Sequence, residues 1–325
     1  MRAIVVSRPG GPEVLVIRDV PIPEPGPGDI RVRVRAFGVN RADLLQRRGH
    51  YPAPRDAPAD IPGLEFAGEV DRAGPGVAFQ PGDRVMGIAG GGTYAQHVIV
   101  PDGCAVPIPA GLTWPVAAAV PEAFVTAHDA LCRGDVRGGA WVLVHAIGSG
   151  VGIALLQVAG AWGARVVGTS RTPDKLARAR ALGLHVGCHV TTQDFVAMTR
   201  EATGGAGADA AIDLVGGTQV PRTLAALRER GRLVLVGLAG GTTAELDLGL
   251  VLRRRLRLEG TVLRARSRDE KAAAVAAFAS DVLPLLASGA IRPVVDRVFP
   301  FDAIAEAHRA MEANATFGKL VVEVP

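Results

Sequence analysis

The stretch of residues 141–171 constrains the fold of this chain more than any other. It begins with a short apolar run, residues 141–146, which predicts a buried strand, and continues with the turn Gly148-Ser149-Gly150-Val151-Gly152. An apolar segment typical of a buried helix follows, and then a second apolar strand. A strand, a glycine turn, a helix and a strand form the unit that binds a dinucleotide pyrophosphate at a helix N-terminus. The stretch therefore predicts a nucleotide site.

The same rhythm continues beyond this stretch. Apolar runs predict six strands, at residues 141–146, 164–169, 186–190, 209–215, 232–237 and 256–263. Helical spacing predicts helices between them, at residues 150–161, 173–182, 193–202, 219–229 and 246–253. Strands that alternate with helices indicate a doubly wound parallel sheet, so the fold class is α/β.

The first 110 residues follow a different pattern, with short strands punctuated by glycine and proline. Residues 30–37 alternate strictly between apolar and polar side chains, which is typical of a half-buried antiparallel strand. Residues 115–132 carry long apolar runs at helical spacing. After residue 265 the pattern predicts a helix at 271–288, a strand at 294–299, a helix at 302–314 and a strand at 319–324. We expect this tail to return to the first domain. The domains are then residues 1–120 with 266–325, and residues 121–265.

Composition excludes several classes of protein. Hydrophobic residues make up 48% of the chain and charged residues 21%, which fits a globular protein. No apolar run is long enough for a membrane span, and the N-terminus lacks a cleavage-site pattern, so we expect a cytoplasmic protein. Cys104, Cys132 and Cys188 are too dispersed for a zinc site or a disulfide framework. The arginines at 253–255 and 257 lack interleaved aromatic residues, so we do not expect a nucleic-acid partner.

The glycine turn departs from the usual G-x-G-x-x-G spelling, because Ser149 occupies the position of a glycine. A purely structural turn between a strand and a helix is the alternative interpretation, and the six-strand context favours the nucleotide. The glycines let phosphate oxygens approach backbone N–H groups without a Cβ in the way.

The end of the second strand indicates which cofactor binds. An NAD site places an acidic residue there to bind the ribose 2′-hydroxyl. This strand instead ends Thr169-Ser170-Arg171, with Lys175 one helical turn further on. Hydroxyls and cations suit a 2′-phosphate, so the sequence favours NADPH over NADH. The alternative is that Arg171 and Lys175 only cap and solvate a helix.

Motifs along the whole chain resemble one family. They are SRPGGPEVL, NRADLLQRRGHY, GLEFAGEV, GGGTYAQHV, PEAFVTAHDAL, HAIGSGVG, LRARSRD and FGKLVVE. The chain is similar to zinc-free medium-chain dehydrogenase/reductases of the quinone oxidoreductase group, and in particular to the tumour-suppressor-inducible quinone oxidoreductase branch. The resemblance implies a GroES-like β-rich catalytic domain and a Rossmann domain that binds NADPH. It also implies a homodimer formed through the Rossmann sheets.

The resemblance further implies chemistry without a metal. Zinc members carry a cysteine near position 40 and a Gly-His-Glu motif, whereas this chain has Asn40 and Gly63-Leu64-Glu65. By match to the family, Tyr51 and Ser149 line the site near the nicotinamide, where Tyr51 donates a hydrogen bond to the acceptor or stacks on it. Asn40 is the predicted N-cap of a helix at 41–48, and it either serves only as a cap or also faces the site, which is the interpretation we favour. A loop aromatic that only covers the barrel is the alternative for Tyr51.

Other residues match family positions around the cofactor. The matching residues are Thr126, Gly237, Leu238, Leu263, Arg264 and Lys319. The alternatives are a helix-interior hydroxyl for Thr126 and a surface lysine for Lys319. Many relatives have Asn-Tyr after the third strand, where this chain has His189-Val190, so the NADPH preference rests on Ser170, Arg171 and Lys175. The remaining histidines form no catalytic motif.

Three functions stay open at the level of sequence. The first is reduction of a quinone by NADPH. The second is reduction of the conjugated double bond of an enone or enoyl thioester, which uses the same hydride geometry. The third is a non-enzymatic, crystallin-like or redox-sensing protein that holds NADPH. The expected small-molecule partner is a quinone or a conjugated carbonyl compound.

Overall fold

The computed structural model describes residues 1–325 and divides into two compact units. The first unit comprises Met1–Val125, Leu263–Ala287 and Pro293–Pro325. The second comprises Thr126–Val262 and Ser288–Arg292. Residues 121–125 and 263–265 thus fall in the first unit, although the sequence predicts them in the Rossmann domain, and residues 288–292 fall in the second unit, although the sequence predicts them in the other domain.

Fifteen strands run through the two units. They are β1 (Arg2–Val6), β2 (Leu15–Asp19), β3 (Asp29–Val39), β4 (Glu65–Ala73), β5 (Arg84–Ile88), β6 (His97–Pro101), β7 (Ala105–Pro107), β8 (Trp141–Val144), β9 (Arg165–Ser170), β10 (Val186–His189), β11 (Ala208–Asp213), β12 (Leu227–Leu235), β13 (Arg257–Gly260), β14 (Val295–Pro300) and β15 (Lys319–Glu323).

Eleven α-helices connect them. They are α1 (Arg41–Arg47), α2 (Trp114–Ala118), α3 (Pro121–Arg133), α4 (Gly150–Ala161), α5 (Pro173–Arg180), α6 (Phe195–Ala202), α7 (Val220–Ala226), α8 (Leu248–Arg254), α9 (Arg268–Asp281), α10 (Leu283–Ala287) and α11 (Ile304–Glu312). None of them is long and apolar enough to cross a membrane.

The second unit is built on a six-stranded sheet in the order β10-β9-β8-β11-β12-β13. Every pairing in it is parallel, so the predicted doubly wound sheet is confirmed. The strand order reverses between β8 and β11. The strands that follow β8 in sequence, β9 and β10, lie on one side of it, and β11, β12 and β13 lie on the other side. In open α/β sheets, ligands bind at the carboxyl ends of strands beside such a switch point. Those ends carry the glycine turn after β8 and residues 168–171 of β9 and the following loop.

The first unit is a seven-stranded sheet in the order β14-β15-β3-β4-β5-β7, with β6 also paired to β3. The predicted alternation in β3 is confirmed, since Ile30, Val32 and Val34 are at most 1% exposed. The arginines between them point the other way, and Arg31 pairs with Asp71 at 2.6 Å. The last strand, β15, runs antiparallel to β3 and brings Lys319 beside the start of α1. The chain thus returns to the first unit as expected.

Two predicted helical stretches are interrupted, and prolines explain both breaks. The helix predicted at 271–288 is two helices, because Pro284 cannot donate an N–H and its ring clashes with the preceding turn. Pro121 similarly begins α3 after a break from α2. The strand predicted at 256–263 is shorter than expected and covers only Arg257–Gly260.

Candidate active site

The glycine turn of the second unit ends in a capped helix. Ser149 occupies the N-cap of α4, and its Oγ accepts a hydrogen bond from the N–H of Gly152 over 3.0 Å. The N–H groups of Gly150 and Val151 have no acceptor within the chain. Two open N–H groups at the positive end of a helix favour a phosphate oxygen. The turn therefore fits a dinucleotide pyrophosphate.

Gly152 is required for a different reason than phosphate approach. A Cβ at this position would lie 2.5 Å from the carbonyl oxygen of Ala146 and 2.7 Å from that of Ile147. The helix can pack this closely on the strand end only without a side chain. Gly148 precedes the cap directly, so all five predicted residues of the turn lie together at the carboxyl end of β8.

The end of β9 lies beside the turn, because the Ile147 N–H donates to the carbonyl of Thr169 over 3.0 Å. Ser170 is 7% exposed, and its Oγ accepts from the N–H of Thr172. Arg171 is exposed, and Lys175 lies partly buried in the first turn of α5. An exposed guanidinium directly after the carboxyl end of β9 suits a ribose phosphate.

The hydroxyl of Thr169 points away from this edge. It lies 3.0 Å from Nδ1 of His145, whose Nε2 is 2.9 Å from the hydroxyl of Thr223. All three side chains are buried, and burial lowers the pKa of His145 to about 4. These three buried side chains link the ends of β8 and β9 to α7, so Thr169 stabilises the carboxyl end of β9 and does not face a ligand there.

Three more predicted cofactor residues belong to the second unit. Thr126 is buried in α3, with 9% of its surface exposed. Gly237 and Leu238 follow β12 at its carboxyl end, and Leu238 is 52% exposed. A Cβ on Gly237 would come 2.7 Å from the carbonyl oxygen of Leu214, so this glycine permits a close approach of two loops.

In the first unit, Asn40 is the centre of a buried polar cluster. It occupies the N-cap of α1, yet its side chain is turned to other partners. Its Oδ1 accepts from Nζ of Lys319 over 2.6 Å, and its Nδ2 donates to Oε1 of Glu65 over 2.8 Å. Lys319 also stands 2.5 Å from Glu65, which is fully buried. Asn40, Glu65 and Lys319 therefore hold one another in a fixed geometry.

Two backbone features admit Glu65 to this cluster. A Cβ on Gly38 would lie 2.1 Å from Oε1 of Glu65, so only glycine leaves room for the carboxylate. The N–H of Glu122, in the first turn of α3, donates to Oε2 of Glu65 over 2.9 Å. Burial, together with the nearby Glu65 carboxylate, raises the pKa of the Glu122 carboxyl to about 8. Glu122 is consequently a neutral acid at pH 7.

A second chain of polar groups begins at Asp43. Its carboxylate accepts from the Asn40 N–H at 2.8 Å, the Tyr94 hydroxyl at 3.0 Å and the Gly63 N–H at 3.2 Å. Burial raises the pKa of Asp43 to about 6, although the hydrogen bonds from Asn40 and Tyr94 lower it. Asp43 is thus mostly ionised at pH 7.

The series of hydrogen-bonded polar groups that begins at Asp43 continues from Tyr94 to α11. Its hydroxyl lies 3.1 Å from Nε2 of His308, whose Nδ1 lies 3.1 Å from a guanidinium nitrogen of Arg47. Arg47 is fully buried and pairs with Glu312 of α11. Burial, together with the adjacent Arg47, lowers the pKa of His308 to about 3. His308 is therefore neutral.

Tyr51 and Arg264 form a separate contact in the first unit. The guanidinium of Arg264 lies 5.0 Å from the centre of the Tyr51 ring, a cation–π distance. Arg264 also donates to Gln46 at 2.5 Å and to the carbonyl of Gly90 at 2.8 Å, which fixes its position. Burial raises the pKa of Tyr51, although Arg264 opposes the rise, so the phenol stays protonated. Leu263, next to Arg264, is buried.

The structure thus joins Asn40 with Lys319, and Tyr51 with Arg264, as four of the predicted residues. The partners that hold them were not predicted from the sequence; they are Asp43, Glu65, Glu122, Tyr94 and His308. One local signal was available: Asp43 follows Asn40 by three residues, the spacing of a capping box. The other partners come from distant elements, and their burial leaves no local trace in the sequence.

The arrangement offers hydrogen-bond donors to a bound acceptor. No group of three or more His, Cys, Asp or Glu side chains in the chain is placed to hold a metal ion. The position where zinc enzymes need a thiolate is an amide already bonded to a lysine and a glutamate. The groups here that can still donate a hydrogen bond to an acceptor are the protonated phenol of Tyr51 and the neutral carboxyl of Glu122, whereas the three donors of the Lys319 ammonium are already engaged.

Comparison with known proteins identifies two family models. Residues 26–110 match the model described as alcohol dehydrogenase GroES-like domain. Residues 150–280 match the model described as zinc-binding dehydrogenase. The predicted combination of a GroES-like domain and a Rossmann domain is therefore confirmed.

Individual relatives extend the match over the whole chain. A quinone oxidoreductase from Pseudomonas aeruginosa is 34% identical over 96% of this chain and 96% of its own length. A 2-haloacrylate reductase from a Burkholderia species is 30% identical over 98% of both chains. A mycobacterial protein whose structure was solved in complex with NADPH is 33% identical, has a TM-score of 0.88 and covers 100% of both chains. This chain belongs to the medium-chain dehydrogenase/reductase superfamily, as an oxidoreductase of the quinone oxidoreductase group.

Proposed function

We propose that this protein is an NADPH-dependent quinone reductase that works without a metal ion. One observation carries the proposal: the amide of Asn40 is bonded to Lys319 and Glu65 at 2.6 and 2.8 Å, at the position where a catalytic zinc needs a thiolate. The first unit then polarises an acceptor with hydrogen-bond donors. The finer placement in the tumour-suppressor-inducible branch is supported by the motifs NRADLLQRRGHY and FGKLVVE.

The residues of the second unit fit the cofactor. When bound, NADPH supplies a hydride to the acceptor. The N–H groups of Gly150 and Val151 would hold its pyrophosphate, and Ser170, Arg171 and Lys175 would hold the 2′-phosphate. The NADPH complex of the mycobacterial relative supports the same choice of cofactor.

The residues of the first unit fit the acceptor. Tyr51 remains a phenol at neutral pH, so it donates a hydrogen bond to a quinone oxygen as negative charge develops there. Arg264 holds the ring of Tyr51 from one side. The ammonium of Lys319 and the amide of Asn40 keep each other in place, which limits reorganisation during the reaction.

A second candidate activity has its own support. The 30% identical relative is named 2-haloacrylate reductase, so reduction of an activated double bond occurs in a protein similar over its full length. An enone or enoyl thioester would accept the hydride at carbon and place its oxygen near the same donors. A non-enzymatic NADPH-binding role remains the third candidate.

One turnover experiment separates the three candidates. The protein is assayed with 1,2-naphthoquinone, 1,4-benzoquinone and an enone, each with NADPH and with NADH. Faster oxidation of NADPH with the quinones supports the proposal, and a preference for the enone supports the second candidate. Absence of turnover with every acceptor would leave only a binding role. Equal rates with NADH would contradict the assignment of the 2′-phosphate site.

We also propose that the protein is a homodimer that pairs through the second unit. All four residues of β13 are exposed at the edge of the parallel sheet, with Leu258 45% exposed. On α8, Leu248 is 73% exposed and Leu252 is 79% exposed. An open sheet edge beside exposed leucines favours association with another strand edge. A second copy of this chain offers the same edge related by twofold symmetry.

A further inference from the structure

Lys271 is a buried cation that none of the chemistry above uses. It lies in the first turn of α9 and is only 5% exposed. Its ammonium forms no ion pair and no hydrogen bond within the chain, and it keeps some access to solvent at the cavity described below. Buried lysines are normally paired, because removing an ammonium from water is costly.

Lys319 is a matched comparison within the same unit. It is also 5% exposed, and its Nζ contacts Glu65, Asn40 and the carbonyl of Val39. The fold therefore supplies three partners to one buried lysine and none to the other. This difference points to a partner for Lys271 that is not part of the chain.

The ammonium of Lys271 borders a cavity of about 50 Å³. A Cβ placed on Gly90 would lie 3.7 Å from Nζ, so the absence of a side chain there keeps space open beside the cation. Most of the remaining wall is apolar and includes Ala57, Ile88, Ile99 and Val100. A cation at one end of a small apolar recess fits an anion that carries a short hydrocarbon tail.

The other charged groups of the cavity do not neutralise Lys271. Arg268 is engaged by Asp29 at 2.5 Å. Asp56 lies exposed at the rim and forms no ion pair with Lys271. Cys104 is buried, and burial raises the pKa of its thiol to about 11, so it carries no charge at neutral pH. No ion pair within the chain neutralises Lys271, so its ammonium is available to an anionic ligand.

We propose that Lys271 is the anion-binding group of a site for a short monocarboxylate. The carboxylate pairs with the ammonium beside Gly90, and a tail of one or two carbons contacts Ala57, Ile88 and Ile99. The cavity volume limits the ligand to this size. The proposal does not depend on the oxidoreductase activity and is tested without turnover.

The experiment measures thermal stability of the full chain against propionate concentration, with chloride as the comparison anion. A ligand that binds only the folded state raises the melting temperature in a saturable manner, by about 2–4 °C at ten times the dissociation constant. We expect this rise in the wild type and in Arg268→Gln, which removes a cation already engaged by Asp29. We expect no propionate-specific rise in Lys271→Met, which keeps the length of the side chain and removes its charge.

A second variant covers the case in which Lys271→Met does not fold. Ala57→Leu fills the recess and leaves the lysine in place, so propionate should lose its effect there too. Saturation-transfer NMR on the wild type provides a direct measure of propionate binding. Equal melting shifts in the wild type and both variants, an equal response to chloride, or no saturable NMR signal would each overturn the proposal.

Discussion

The hydroxyl of Tyr94 lies 3.1 Å from Nε2 of His308, and this hydrogen bond has only one possible direction. Arg47, on the other side of the imidazole, can only donate, so Nδ1 of His308 accepts and Nε2 carries the proton. The imidazole then donates to Tyr94, whose own proton goes to Asp43. The buried chain is polarised from Arg47 towards Asp43, and it favours the ionised form of the carboxylate that holds Asn40.

The Tyr94→Phe variant should be destabilised. It removes a donor from Asp43 and leaves Nε2–H of His308 without an acceptor, which costs about 1–3 kcal/mol of unfolding free energy. Urea unfolding of the two proteins measures the difference. Tyr51→Phe is the matched control, because the hydroxyl of Tyr51 forms no hydrogen bond within the chain, and its unfolding free energy should stay unchanged. Equal stability of Tyr94→Phe and the wild type would contradict the buried network.

The Tyr51→Phe variant, although as stable as the wild type, should be less active. If the phenol of Tyr51 polarises the acceptor, losing one neutral hydrogen bond of about 1.5 kcal/mol lowers kcat/KM by about tenfold in Tyr51→Phe. The apparent affinity for NADPH should not change. Steady-state kinetics with 1,2-naphthoquinone checks both values. Unchanged kcat/KM would exclude the polarising role and leave only stacking of the ring.

Glu122 should make the protein less stable as the pH rises. Its pKa in the folded state is about 8, against the ordinary value of 4.5, so between these values the folded chain retains a proton that the unfolded chain has released. The unfolding free energy then falls with pH by at most about 1.4 kcal/mol per unit. Asp43 adds a similar fall only between 3.8 and about 6. From pH 6.5 to 8, Glu122→Gln should therefore show a flatter dependence than the wild type. Parallel curves would show that Glu122 titrates normally.

Arg171→Ala should weaken NADPH and leave NADH unaffected. A hydrogen bond to a charged phosphate contributes about 1.5–3 kcal/mol, so the dissociation constant for NADPH should rise by at least about tenfold. Quenching of protein fluorescence on titration with each cofactor measures this. The control is Arg180→Ala, an exposed arginine at the last position of α5, the helix that follows Arg171. An equal loss for both cofactors would place Arg171 away from the 2′-phosphate.

Leu258→Arg should convert a dimer to a monomer. The substitution puts a charge in the exposed edge of the six-stranded sheet, where an adjoining strand would have to bury it. Light scattering after size-exclusion chromatography determines the mass. Val298→Arg is the matched control, because Val298 is 43% exposed on β14, the edge strand of the other sheet, against 45% for Leu258. Dissociation by both variants, or by neither, would contradict pairing through β13.

The sequence predicts the second unit better than the first. Helix α4 begins at Gly150 and ends at Ala161, as the apolar spacing indicates, because a helix and strands buried on both faces have near-continuous apolar runs. The interruptions at Pro121 and Pro284 were missed, since hydrophobic spacing continues across both prolines. In such cases the missing N–H decides the boundary.

The candidate site residues of the second unit are likewise better predicted than those of the first. Local pattern alone locates Ser149 and the turn, because a single loop contributes all of those groups. The neighbours of Asn40 could not be found in this way, since Glu65, Glu122 and Lys319 come from β4, α3 and β15. A charged residue in a strand pattern usually marks the solvent face, and burial of Glu65 depends on the space above Gly38, which only the folded backbone reveals.

The return of β15 to β3 sets an order on biosynthesis. Residues of the second unit end at Arg292, so that unit can close while the remaining chain is still within the ribosome. The first unit cannot, because its central strand β3 lacks a neighbour until residues 319–323 emerge. Until residues 319–323 emerge, the carboxylate of Glu65 lacks its ion-pair partner, Lys319. We expect the second unit to become native on the nascent chain before the polar cluster of the first unit, which needs Lys319, can assemble.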